Sequence, residues 1–394
     1  MIMITAIPKI ALIPSGVKAG KLYSVLPTDG AGDFTTTRAS VATRVNENGL
    51  IEEVAANVPR LDYSDGGCPS LLLESTATNL IPHSQTFDAG WSEVNGVVLS
   101  ATKVTSPDGT LNASQLIFDG TAFGRIERSI SGLTQGADYT VSVYARVSSG
   151  TQAVRLGSVS DFEYTLTTEW QRLISTQAEN DTVGYPRLKC DDAVTVEIYG
   201  FQLEQNSYVT SYIKTVGTAQ TRSADTANGS GNASTFNDSE GVLMVETSAL
   251  ANDGTNRMIS LSNGVSTTSN ATLYFTPTDN QIRYIYEINS SQQCSIIANI
   301  NVLQNNKFAI VYKLNRFELW GNGVKLDEDT SGTLNPQGTF TKLSFLRGAS
   351  QLPFYGNTKQ IQYFDSALND SDLEKITSWT SFTAMANGQS YTII

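Results

Sequence analysis

Along residues 139–150, "YTVSVYARVSSG", apolar and polar side chains alternate with a period of two. Tyr139, Val141, Val143 and Ala145 fall on one face and their neighbours on the other, the pattern of a half-buried strand. "RIERSISG", "TQAVRLGSV", "WQRLIST" and "VTVEIYGFQLE" share it, with turn signals at Asp108-Gly109, Gly132, Gly136 and Ser149-Gly150. Many short antiparallel strands at this spacing predict a sandwich or jelly roll over residues 76–215. Within "QLEQNSYVTSYIKT" the chain turns at Gln205-Asn206-Ser207, and Tyr208–Lys214 reads as a last extended strand.

A second alternating region runs over 240–394. "GVLMVETSAL", "RMISLSN", "NATLYFTPT", "QIRYIYEIN", "NKFAIVYKLNRFELWGNGVKLDE" and "FTKLSFLRG" read as strands. Asn322-Gly323 is a two-residue hairpin signal. A strand over Lys359–Phe364 leads into one short helix, with Ser371 or Asp370 as cap and Glu374 behind it, as in a capping box. Leu373 and Ile376 are its inward positions. Residues 216–239, rich in Ser, Thr, Ala, Asn and Gly, read as a linker with a mobile centre. Residues 1–75 lack periodicity and cannot bury enough surface to fold alone, so they read as an arm that orders against partner subunits. The fold class expected is all-β: two tandem β-sandwich (jelly-roll) domains, 76–215 and 240–394, behind an irregular N-terminal docking arm.

Composition narrows the function. Of the 394 residues, 40% are hydrophobic and 16% charged, and the net charge is −12. That balance gives no basic footprint for phosphates and disfavours anionic membranes, so neither nucleic acid nor membrane insertion is expected. Cys68, Cys190 and Cys294 are odd in number and far apart, which indicates free thiols from a reducing cytosol rather than a disulfide or zinc framework. The apolar opening stretch lacks a basic leader and is broken by Lys9, Pro8 and Pro14, so a secretory signal is not expected.

"NLIPHSQTFDAGWSEVNGVVLSATKVTSPDGTLNASQLIFDG", "GLTQGADYTVSVYARVSSG" and "TTEWQRL" resemble a carbohydrate-binding-module (galactose-binding-like) jelly roll, and "VEIYGFQLEQNSYVTSYIKT" resembles its closing in bacteriophage tail and virion proteins. "FELWGNGVKLDE" and "KQIQYFDSALNDSDLEKIT" resemble a concanavalin A-like (laminin-G-like) sandwich. "TRVNENGLIEEVAANVPRLDY" resembles the leading region of phage structural proteins. The resemblance implies a virion component made in a bacterial cytoplasm. It would dock to other virion proteins through its arm, as a homo-oligomer taken to be a trimer, and attach to a host-surface glycan. It also allows a structural calcium, for which Asp327 and Asp329 in "KLDEDTSG" are candidates; no other cofactor is expected.

Catalysis has little to work with. His83 is the single histidine and no nucleophile motif surrounds it. A pair of carboxylates could serve a glycosidase, but 38 Asp and Glu residues give no pointer to a pair. Sugar recognition uses aromatic faces and planar donors. The candidates are Phe123 and Arg125 in "GTAFGRIE", with Trp91 and Tyr185. Trp91, Trp170 and Trp320 also fit core positions. The leading reading is a non-enzymatic tail-fibre or appendage protein. A head fibre or decoration protein with a purely structural role and a polysaccharide depolymerase are the alternatives.

Overall fold

The structure is a computed structural model that describes residues 6–348 and 351–379. The first residues of the expected arm and the last of the 240–394 segment lie outside the described residues. The chain forms two compact units. An inserted unit comprises Ser40–Val54 and Thr76–Ser223; a terminal unit comprises Met1–Ala39, Ala55–Ser75 and Ala224–Ile394. The all-β expectation holds, and each unit is a two-sheet sandwich.

In the inserted unit one sheet runs Ser92–Val94, Gly124–Glu127, Arg187–Cys190, Gln152–Gly157, Asp161–Leu166. The other runs Val97–Thr105, Leu111–Asp119, Ala193–Glu204, Asp138–Val147, Gln171–Ala178. The alternating residues Tyr139, Val141, Val143 and Ala145 point inward and meet Ile126, Leu156 and Leu188 of the facing sheet in one core. A separate hairpin, Ala42–Val45 with Ile51–Val54, completes the unit.

Tyr208–Lys214 differs from expectation: it is irregular, bends at Tyr208 and Ser211 and joins no ladder, and the closing strand is Ala193–Glu204. Side chains replace the ladder bonds. The Ile213 N–H donates to Gln202 Oε1 at 2.7 Å and the Thr210 N–H to Glu204 Oε2 at 3.1 Å. Asn79 Nδ2 donates to the Ile213 carbonyl at 2.9 Å. Every buried backbone group needs a partner, and this strap finds its partners in amide and carboxylate side chains.

In the terminal unit one sheet runs Val324–Asp329, Arg316–Gly321, Asn306–Lys313, Glu240–Ala249, Gly356–Phe364, Ser70–Leu73, Arg60–Asp62, with Ile10–Leu12 also paired to Gly356–Phe364. The second runs Ser291–Asn299, Gln281–Ile288, Asn270–Phe275, Arg257–Ser262, Lys342–Ser344. Leu243, Val245 and Ile361 pack on Ile259, Leu273 and Tyr284 between them. Asn322 and Gly323 take φ of 51° and 86°, the two left-handed residues that a type I′ hairpin demands. The helix is Asp370–Thr377, and Leu373 packs with Met244, Val311 and Trp320 on the outer face of the larger sheet. Its cap is Asn369, whose side chain accepts from the Asp372 N–H, rather than Ser371 or Asp370.

Two segment boundaries differ from expectation. Residues 6–75 are not a separate arm. Ile10–Leu12, Arg60–Asp62 and Ser70–Leu73 join the larger sheet, Val17–Lys18, Lys21–Leu22 and Phe34–Thr37 form a smaller sheet with Thr226–Asn228, and the hairpin belongs to the inserted unit. The supposed linker is packed too: Thr226–Asn228 pairs with Phe34–Thr37, and Asp225, Ala227 and Ser230 are buried.

A buried ionic cluster holds these segments in the terminal unit. Arg60 pairs with Glu74 at 2.6 Å and with Asp225, and Arg38 reaches Asp225 at 3.0 Å and the Ala55 carbonyl at 2.6 Å. The Glu74 N–H also donates to Asp225, at 3.0 Å. Arg38, Ala55, Glu74 and Asp225 each stand within two residues of a point where the chain passes from one unit to the other.

Candidate functional site

The outer face of the Val97–Thr105 sheet is lined row by row, because strand register fixes which side chains are neighbours. One row holds Gln115, Glu197 and Arg146 in direct opposition. Arg146 Nε donates to Glu197 at 2.6 Å and its guanidinium lies 4.7 Å over the half-exposed Trp170 ring. The next holds Tyr199, Tyr144 and Arg172, and the Arg172 guanidinium sits 5.2 Å over Tyr144. Tyr199 packs 5.4 Å from Tyr212 of the strap.

Beside Tyr199 the face opens into a cavity of about 290 Å³. Its rim carries Glu52 and Glu53 from the hairpin, Gln85, Asp108 and Thr110 from two loops, and Lys214 from the strap. Tyr199 and Tyr212 form the floor. The polar groups are fixed in advance. Tyr199 donates its hydroxyl to Asp108 Oδ2 at 2.8 Å, and Gln85 Nε2 donates to that same hydroxyl at 2.5 Å. Ser106, Thr110 and Asn112 also donate to Asp108. Partial burial opposes the charge on Asp108, but the hydrogen bonds from Ser106, Thr110, Asn112 and Tyr199 outweigh it and hold the carboxyl below its ordinary range. Burial pushes the Tyr199 and Tyr212 hydroxyls up. Such a site offers hydroxyl-bonding groups backed by two buried tyrosines, with little reorganisation on binding.

The residues singled out in the sequence fall elsewhere. Trp91 is 9% exposed, packs against Phe87 and Phe201, and donates Nε1 to the His83 carbonyl. It is a core residue and has no face to offer a sugar. Phe123, 62% exposed, and Arg125 do share one edge of the Gly124–Glu127 sheet. Phe123 sits at a φ of 63°, held by its N–H on Asp191. Tyr185 lies at the far end of that sheet: six residues separate it from Asp191, roughly 20 Å of strand. The four therefore do not converge. Arg125 is engaged by Glu127 at 2.6 Å. Asp327 and Asp329 accept from their own turn, from Glu328 and Ser331. Among the described residues no group of three or more His, Cys, Asp or Glu could hold a metal ion. His83 has Thr86 Oγ1 at 3.5 Å as its ring neighbour.

The cavity escaped sequence reasoning because its walls come from the hairpin within 43–53 and from residues 85, 108–110, 199 and 212–214. Two of those stretches, "TRVNENGLIEE" and "SYIKT", stand out in the sequence for other reasons, and no local pattern joins them.

No protein-family model matches the chain, and no curated protein does. Among solved structures, a CBM40 module of the Ruminococcus gnavus IT-sialidase bound to α2,3-sialyllactose aligns with 14% identity and a TM-score of 0.32, over 38% of this chain and 94% of that one. The Clostridium thermocellum Xyn10B CBM22-1-GH10 modules complexed with xylohexaose give 14%, 0.27, 36% and 30%. The CBM22-1-CBM22-2 tandem of Paenibacillus barcinonensis Xyn10C gives 10%, 0.28, 75% and 99%. At these scores the likeness carries no weight for this chain's fold or ligand.

Proposed function

We propose that the protein binds carbohydrate without cleaving it, and that the cavity beside Tyr199 is the binding site. The observation that carries this reading is the Gln85–Tyr199–Asp108 chain of hydrogen bonds at the cavity floor. It fixes a carboxylate and an amide where sugar hydroxyls can meet them. The carboxyls present do not suit hydrolysis. Asp108 is held ionised by four donors, so it is a poor general acid. Glu204, whose carboxyl is pushed up by burial, is covered by the strap and bonded to Thr210. The resemblance of residues 43–63 to phage structural proteins supplies the setting: display on a virion for attachment to a host-surface glycan. Many copies there would raise avidity by roughly 10²–10⁴ over one site.

The test is affinity electrophoresis of the full chain through xylan, mixed-linkage β-glucan, galactan and mannan, neutral polymers of different stereochemistry. At least one should retard the protein. Glu53→Ala with Lys214→Ala, both exposed positions, should weaken that retardation about tenfold. Retardation by none of the four would sink the reading. Loss of binding in Phe123→Ala with Arg125→Ala, and not in the cavity variant, would move the site to the Phe123 edge. Release of reducing sugar would replace binding by hydrolysis, and a protein that binds no glycan would fit a decoration role.

A further inference from the structure

A second cavity of about 270 Å³ lies in the inserted unit on the other side of the hairpin–strap contact. It shares Thr43, Glu53, Tyr212 and Lys214 with the first. Its remaining walls mix apolar residues, Val41, Ala42, Ile213 and Val216, with Ser40, Gln220, Thr221 and the Arg222 guanidinium. Val41 and Val216 are 60% and 77% exposed at its mouth.

A bridge lies among the residues that the two chambers share. Thr43 of the hairpin donates Oγ1 to the Tyr212 carbonyl of the strap at 2.6 Å, and Thr43 stands directly opposite Glu53 in the hairpin ladder. Glu53 and Lys214 are exposed beside that bridge and line both chambers. The hairpin itself is rigid at its loop, where Arg44 and Asn46 grip Glu52, with Asn46 Nδ2 at 3.2 Å.

We infer that the two chambers are consecutive subsites for one glycan chain, which crosses the Thr43–Tyr212 bridge with Glu53 and Lys214 bonding the sugar at the crossing. The inference rests on the cavity beside Tyr199 being a carbohydrate site. It adds that the ligand is an internal stretch of polymer rather than a terminal sugar. The chamber walls also select charge. Glu52 is paired with Arg44, and across the two chambers Glu53 and Asp108 are matched by Lys214 and Arg222, so a neutral chain fits. The exposed valines of the second chamber suit the apolar faces of sugar rings.

The experiment takes two- and six-residue fragments of whichever of the four polymers retards the protein and measures their affinities by calorimetry on the full chain. The six-residue fragment should bind about tenfold more tightly or better, since it reaches both chambers. Val41→Trp and Gln220→Trp, each at an exposed position of the second chamber's wall, should bring the six-residue affinity down to within about threefold of the two-residue one. Both should leave the two-residue affinity unchanged. Equal affinities for the two lengths, or a length preference that survives both variants, would overturn the two-chamber inference while the function reading stands. Failure of all four polymers would overturn both.

Discussion

Replacing Asp225 with alanine tests whether the ionic cluster organises the terminal unit. In the intact cluster two guanidinium groups, Arg38 and Arg60, face two carboxylates, Glu74 and Asp225, with side-chain exposures of 1%, 0%, 3% and 5%. The site is one that water does not reach. Asp225→Ala removes the carboxylate that both guanidinium groups contact and strips the Glu74 N–H of its acceptor at 3.0 Å. Breaking a buried pair in this way costs about 3–5 kcal/mol, because the surviving charge stays buried. A domain holds only about 5–15 kcal/mol in total, so the terminal unit should become marginal. For a unit of this size the melting temperature should fall by roughly 10 °C. Urea titrations followed by tryptophan fluorescence give the measurement, since Trp320 and Trp379 report on the terminal unit and Trp91 and Trp170 on the inserted one. The transition that carries Trp320 should move and the other should stay. Replacing all four cluster residues by apolar ones of similar volume should cost less than the single change, because no charge is stranded. A loss below about 1 kcal/mol in Asp225→Ala, with the fold intact, would refute the reasoning.

Glu204 should give the inserted unit a pH dependence. Burial pushes its carboxyl up against the hydrogen bonds of Thr210, so the protonated form favours folding. The contribution is complete below the ordinary carboxyl value of 4.5 and is lost as pH rises through the folded value. As pH rises above 4.5 the urea midpoint of the wild type should decline relative to that of Glu204→Gln; parallel profiles would remove Glu204 as the cause. Phe123 holds a left-handed backbone while mostly exposed, so Phe123→Gly should stabilise the unit by up to about 1 kcal/mol in the same titration. A net loss of stability would show that its ring packs usefully where it lies.

Local patterns were readable wherever one face of a long strand is buried. Tyr139 to Ala145 announce their inward face through a period of two, and Asn322-Gly323 announces its hairpin through two positive φ angles. The helix was readable from Leu373 and Ile376, though its cap proved to be Asn369, since several neighbouring residues could accept the same N–H. The rest depended on distance. Ile10–Leu12 and Arg60–Asp62 are three residues long, too short for any period to show, and the partner of Ile10–Leu12 lies far along the chain at Ile361–Tyr363. The strap misled because it is not a strand: Gln202, Glu204 and Asn79 bond its backbone, and nothing in their sequence neighbourhood marks that role. Trp91 could be placed inside or outside by composition alone, and Phe87 and Phe201 decide for the core. The cavity is the extreme case, because its walls come from five separate stretches.

The interleaving of the two units reverses the order in which the chain can be finished during synthesis. The last residue of the inserted unit is Ser223, so that unit has all its strands long before translation ends. The terminal unit begins first and closes last, since Leu12 pairs with Ile361. At roughly 5–20 residues per second, Ile10–Leu12 waits on the order of 20–70 s after it is made before its partner strand exists. Through that interval Ile10, Leu12, Leu71 and Leu73, all buried in the finished sheet, have no sheet to enter. The ribosome thus holds a folded inserted unit flanked by apolar segments whose partner strand is complete only when residue 364 emerges.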